Sequence, residues 1–123
     1  MSKHKPDMSD FPKKYPKLFE NVYCGYSCGA GWYPLLHTLC KLLQSYAENK
    51  SLNIRIAQIK EKFGGLRFYY DGADDYAEGL VRMAEAMSWH ICEDCGTTES
   101  VETKGGWIKT LCESCRRLRN ERI

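Results

Sequence analysis

The chain has 123 residues, enough for one apolar core plus a small appendage and too few for several large domains. A formal net charge of +2 argues against strong indiscriminate nucleic-acid binding by the whole surface. No run approaches the length needed to span a bilayer, and the opening MSKHKPDMSDFPKKYP lacks the apolar stretch of a secretory signal, so the expected setting is a reducing cytosol with free thiols.

The charge is unevenly spread: residues 1–20 carry +2, residues 21–103 carry −4, and residues 104–123 carry +4. Residues 1–20 are rich in Lys and Pro, with Phe11, Tyr15 and Phe19 spaced along them. They read as an extended basic arm whose aromatics dock on the body. Residues 21–90 then hold the elements of an α-β-β-α core.

Trp32, Leu35, Leu36, Leu39, Leu42, Leu43 and Tyr46 follow the spacing of one helical face, and Pro34 suits a first turn. A helix is expected from about residue 33 to about 48. Leu52 to Tyr70 reads as a β-hairpin turning at Gly64-Gly65, with Phe63 opposite Leu66 and a bulge near Ala57-Gln58. This pairing places Ile59, Leu66, Phe68 and Tyr70 on one face and Lys60, Lys62, Arg67 and Tyr69 on the other. Asp74 or Asp75 caps a second helix, with Tyr76, Leu80, Met83, Ala84 and Met87 as its apolar stripe.

Residues 91–123 hold the most specific signal. Cys92-x2-Cys95, sixteen residues, then Cys112-x2-Cys115 is the spacing of a four-thiolate zinc site. Four thiolates close the tetrahedron around one structural Zn²⁺, leaving no open position for reactive water. Gly96 provides the left-handed backbone that a knuckle needs. Gly105-Gly106 marks a turn, Trp107-Ile108 a short strand, and Arg116–Arg122 a basic helix. Knuckle, hairpin and helix make a treble clef, packed on the core because the second helix runs straight into it.

Three cysteines remain. Cys24 and Cys28, with Cys40 or His37, form a candidate second metal site, against the simpler reading of small buried thiols. Gly29-Ala-Gly31 reads as a tight lead-in to the first helix rather than an anion site. His90 suits a surface or capping role. No Ser-His-Asp order, phosphate loop or HExxH occurs, no histidine follows His90 to complete an HNH-type nuclease, and Asp71, Asp74 and Asp75 read as a turn and a cap. The chain is therefore read as noncatalytic.

Cys92-x2-Cys95-Gly, Trp107, and Thr110-Leu-Cys112-x2-Cys115 before a basic helix resemble GATA-type zinc fingers over the last quarter of the chain. Most of the chain, through Gly25-x2-Cys28-Gly-x-Gly31-Trp32, Gln58-IKEKFGGLRFY-Tyr70 and Gly106-Trp107-Ile-x-Thr-Leu-Cys112, resembles a family of small bacteriophage and prophage proteins. That resemblance implies phage origin and action in the host cytoplasm, and it implies no mechanism.

The combined expectation is an α+β fold: a helix, β-hairpin, helix core followed by a C-terminal four-cysteine zinc treble clef. The expected function is binding of a host or phage protein, to inhibit a host defence or redirect a host enzyme, with no membrane involved. The alternative is nucleic-acid binding through Lys60, Lys62, Arg67 and Tyr69 on the hairpin and Arg116, Arg117, Arg119 and Arg122 on the last helix.

Overall fold

The computed structural model describes residues 8–20 and 25–121. The chain is α+β; its described residues form a three-stranded sheet, two long helices and a small second hairpin that leads into a C-terminal helix.

Residues 8–20 are folded against the body rather than extended, and residues 1–7 of the expected arm lie outside the described residues. Met8–Asp10 forms a 3-10 turn and Phe11–Lys14 a single helical turn, α1. Met8, Phe11, Tyr15, Leu18 and Phe19 are all buried. Phe11 meets Tyr15 edge-on and packs on Tyr33, while the Tyr15 hydroxyl lies 2.6 Å from His37 Nδ1. Five apolar side chains in so short a segment bury more than a solvated arm can forgo.

A 3-10 turn, Ala30–Trp32, leads into α2, Tyr33–Lys50. Pro34 occupies the first turn, where no amide partner is needed. Ser51 ends the helix in the left-handed conformation, its N–H donating to the Ala47 carbonyl. Leu36, Leu39, Cys40, Leu43 and Ala47 face the core, whereas Leu42, expected there, is exposed.

Strand β2, Arg55–Lys62, pairs antiparallel with β3, Gly65–Asp71, and the register slips between Ile56 and Gln58 as the parity switch in the sequence requires. The turn sits one residue earlier than expected. Lys62 pairs with Gly65, and Phe63 and Gly64 form the loop with φ of 55° and 89°. Positive φ at both positions gives the twist that hairpin strands need. Glu61 secures the loop by accepting from the Gly64 amide at 2.7 Å. Moving the turn by one residue changes the pairing by two, so every side chain keeps its face. Ile59, Leu66 and Phe68 are buried, with Tyr70 partly so, and Lys60, Lys62, Arg67 and Tyr69 share the outer side.

The sequence gives no warning of β1, Tyr26–Ser27, which pairs parallel to β2. Helix α3, Asp75–Ser88, starts at Asp74, whose carboxylate accepts from the Ala77 amide. It also closes the free edge of β3: the Leu66 amide donates to Ser88 Oγ and the Phe68 amide to Glu85 Oε2. An edge satisfied in this way offers no ladder to another strand. The helix is rotated from the expected orientation. Ala77, Val81, Ala84 and Ser88 are buried, while Tyr76, Met83 and Met87 are exposed. Small residues face inward because α3 lies close against both β3 and α2.

Strands β4, Val101–Lys104, and β5, Lys109–Cys112, form the second hairpin, and α4, Glu113–Glu121, follows directly. Trp107 and Ile108 lie in the hairpin turn rather than in a strand, and Trp107 is 81% exposed.

Candidate metal centre

The chain brings its two CxxC pairs together by different means. Cys92 and Cys95 flank a knuckle in which the Gly96 amide donates to the Cys92 carbonyl, and the Cys92 amide to the Thr97 carbonyl. Gly96 has φ 86°, as the expected left-handed turn demands. Cys112 ends β5 and Cys115 lies in the first turn of α4. This is the knuckle, hairpin and helix of a treble clef.

The four Sγ atoms all lie within 4.8 Å of one another, and Cys95 Sγ is 3.8 Å from Cys112 Sγ. Tetrahedral metal–thiolate bonds of about 2.3 Å put sulfurs about 3.8 Å apart, so the donor set fits a closed four-sulfur metal site. Backbone amides support the charge: that of Cys95 donates to Cys92 Sγ at 3.5 Å and that of Cys115 to Cys112 Sγ at 3.4 Å. Burial raises the Cys92 thiol, but hydrogen bonds from backbone amides outweigh it and bring it down to about 7. Among the described residues no fifth protein ligand stands among these sulfurs, and His90 is exposed.

The residues between and after the cysteines fasten the centre. Glu93, 3% exposed, accepts from the Gly31 amide through its carbonyl at 2.8 Å and from the Gly29 amide through its carboxylate at 2.9 Å. The Gly29-Ala-Gly31 segment is thus a tight lead-in that also receives an anion, supplied by the chain itself. A Cβ on Gly31 would lie 2.2 Å from the Cys92 carbonyl oxygen, and one on Gly29 2.4 Å from that of Glu93. Thr110 donates to the Gly64 carbonyl at 2.6 Å, and Lys109 reaches Glu61 at 2.9 Å and Glu93 at 3.9 Å. Trp32 Nε1 donates to the Ile91 carbonyl at 2.9 Å. The metal module is therefore seated on both the α2 lead-in and the β2–β3 turn.

Two arginines expected to be free for phosphate are engaged internally. Arg119 forms a two-pronged pair with Asp94 at 2.6 and 2.8 Å, tying α4 to the knuckle. Arg116 donates to the carbonyls of Lys104, Glu102, Lys109 and Leu111, fixing α4 across the β4–β5 hairpin. Arg117 reaches Glu113 on its own helix, and Arg122 lies outside the described residues. Lys60, Lys62, Arg67 and Tyr69 keep their outward positions, with no ion pair among the described residues.

The candidate second metal site falls partly outside the described residues, since Cys24 is not among them. Burial pushes the Cys28 thiol up to about 12 and the Cys40 thiol higher still, and His37 is taken up by Tyr15. Neither thiol joins a third ligand among the described residues. Asp71 pairs with Arg55 and Asp74 caps α3, so those acids do not converge on a cation.

Glu93, Asp94 and Thr110 carry the attachment and escaped the sequence reading. The available signal was two acids between the first cysteine pair, followed by Arg119 four residues after the second. No family model matches this chain, and neither the curated proteins nor the solved structures give a match. No helix among the described residues is long and apolar enough to cross a membrane.

Proposed function

We propose that the chain is a noncatalytic accessory protein, stabilised by one structural zinc ion, that receives an amphipathic helix of a partner protein between α2 and α3. Zinc is the metal that four thiolates at these spacings suit best, and a closed site folds a module without supplying reactive water. The observation that carries the docking is an apolar face that the described residues leave uncovered. Leu35, Leu39, Leu42, Leu80, Met83 and Met87 line a cleft of about 390 Å³, and Met83 is 65% exposed. Residues 35–42 and 80–87 each run about 10 Å along their helices, enough to cradle two turns of a third. Unbranched methionines on the rim adapt to apolar side chains, and a helix laid in such a groove is a recurrent mode of recognition.

The resemblance to small phage and prophage proteins supports drawing the partner from an infected cell, either host or phage protein, in the host cytoplasm. Binding there would inhibit a host defence or redirect a host enzyme. The test is nuclease-treated affinity purification from infected cells with the wild type and the Leu42→Asp/Met83→Asp variant. A partner retained by the wild type and lost by an equally stable variant is expected, and a synthetic helix from that partner should then bind directly. A partner held equally by both proteins refutes the docking site. Self-association that the variant abolishes assigns the cleft to a second copy.

A further inference from the structure

The outer face of the β2–β3 ladder takes no part in the cleft or the metal module. Lys60 and Arg67 are direct cross-strand partners on it, with Lys62 toward the turn. Like charges set opposite each other weaken a ladder, and among the described residues no carboxylate pairs with either. The same face carries Tyr69, exposed and beside Gln58. At the turn Phe63 is 66% exposed, with the Lys62 ammonium 5.8 Å from its ring centre. Phe63 and Trp107 line a shared cleft of about 410 Å³ between the two hairpin tips.

Cations in a row with rings beside them match the chemistry of an unpaired nucleotide strand, whose phosphates seek charge and whose bases seek flat apolar partners. A duplex hides its base faces and has no use for exposed rings. An acidic peptide could neutralise the cations but would leave the rings unused. We propose that this sheet face and the Phe63–Trp107 cleft bind single-stranded nucleic acid, phosphates against Lys60, Lys62 and Arg67 and bases on Tyr69 and the cleft. The C-terminal helix does not take part, since Arg116 and Arg119 are committed within the metal module.

Fluorescence anisotropy with labelled oligothymidylate and oligouridylate of about twenty nucleotides tests this on the full-length, zinc-loaded protein. Binding of either oligomer supports the proposal, and the tighter one identifies the preferred sugar. Three neutralised phosphates give a log–log salt slope of about −2. Tyr69→Ala should weaken binding by about 5- to 150-fold while Tyr69→Phe retains it. Lys60→Glu should weaken binding at least about tenfold and raise the melting temperature, because it turns a like-charge pair into an opposite one. Opposite movement of affinity and stability separates a binding role from a folding defect. Arg117→Ala should leave affinity unchanged. The proposal is overturned if neither oligomer binds at low salt, if duplex DNA binds more tightly, if polyglutamate competes as well as the oligomer, or if Tyr69→Ala has no effect.

Discussion

Glu93 and Gly31 join the metal knuckle to the core backbone to backbone: the Gly31 amide donates to the Glu93 carbonyl at 2.8 Å, and no side chain fits between them. The position between two metal-binding cysteines is thus also the seat of the module. Its carboxylate repeats the attachment on Gly29, so one residue serves two of the lead-in amides.

Replacing Gly31 should therefore be costly. Gly31→Ala drives a methyl into two backbone carbonyls that cannot rotate away, and it should destabilise the protein by about 2–3 kcal/mol. Gly106→Ala, where an added Cβ would meet nothing within 4 Å beyond its chain neighbours, should change stability little. Urea denaturation of the two variants checks the contrast.

Glu93→Ala should lower stability by about 2–3 kcal/mol while leaving metal stoichiometry unchanged, because it removes a buried charge-assisted hydrogen bond but no ligand. It also strands Lys109 with Glu61 alone. Equilibrium unfolding paired with metal analysis distinguishes this from loss of the centre itself.

Elemental analysis should find one zinc per chain. Cys112→Ser should abolish that stoichiometry and release amide protection across 92–115, since binding energy at such a site is folding energy. The α2, β2, β3 and α3 elements should retain partial protection, because they share a separate apolar cluster. A stoichiometry of two would point to Cys24 and Cys28 as ligands of the second ion.

Arg119→Ala should speed zinc release to a chromogenic chelator and cost about 1–2 kcal/mol, with Arg116→Ala acting in the same direction. Both arginines hold α4 against the knuckle and hairpin. Neither substitution should change the affinity for an oligonucleotide, which separates their structural work from phosphate contact.

Asp74 supplies a pH dependence. The Tyr46 hydroxyl and then the Ala77 amide hold its carboxyl below the usual range. A depressed acid stabilises the fold above its unfolded value, and that contribution is lost as pH falls through the folded one. Asp74→Asn should therefore flatten the acid side of the stability curve, as thermal melts between neutral and acid pH will register.

Much of this fold was written in local spacing. The cysteine pairs named their own site, because metal geometry fixes both residue type and separation. The parity switch at Ala57 announced the bulge, and outward Lys60, Arg67 and Tyr69 survived a misplaced turn because register slipped by two. Tertiary choices were hidden. Apolar periodicity favoured Tyr76, Met83 and Met87 alongside Ala84 for the core of α3, but close approach to β3 and α2 kept Ala84 and selected Ala77 and Val81 in place of the larger side chains. A count of arginines in α4 suggested a basic surface, and only contacts from distant positions, Asp94 and the hairpin carbonyls, reveal that two of them are already spent. Strand β1 is two residues long, too short for any pattern to register.

The three tryptophans stand at three depths: Trp32 fully buried, Trp89 against Gly65 where a Cβ would lie 2.4 Å from Cζ2, and Trp107 open to solvent on the hairpin tip. They are also three optical reporters, of the core, of the joint beside the turn, and of the cleft at the tip. Emission from the whole protein should blend a blue-shifted, an intermediate and a red-shifted component. Variants that keep one tryptophan at a time would follow unfolding, metal loss and ligand arrival as separate signals, with no dye attached.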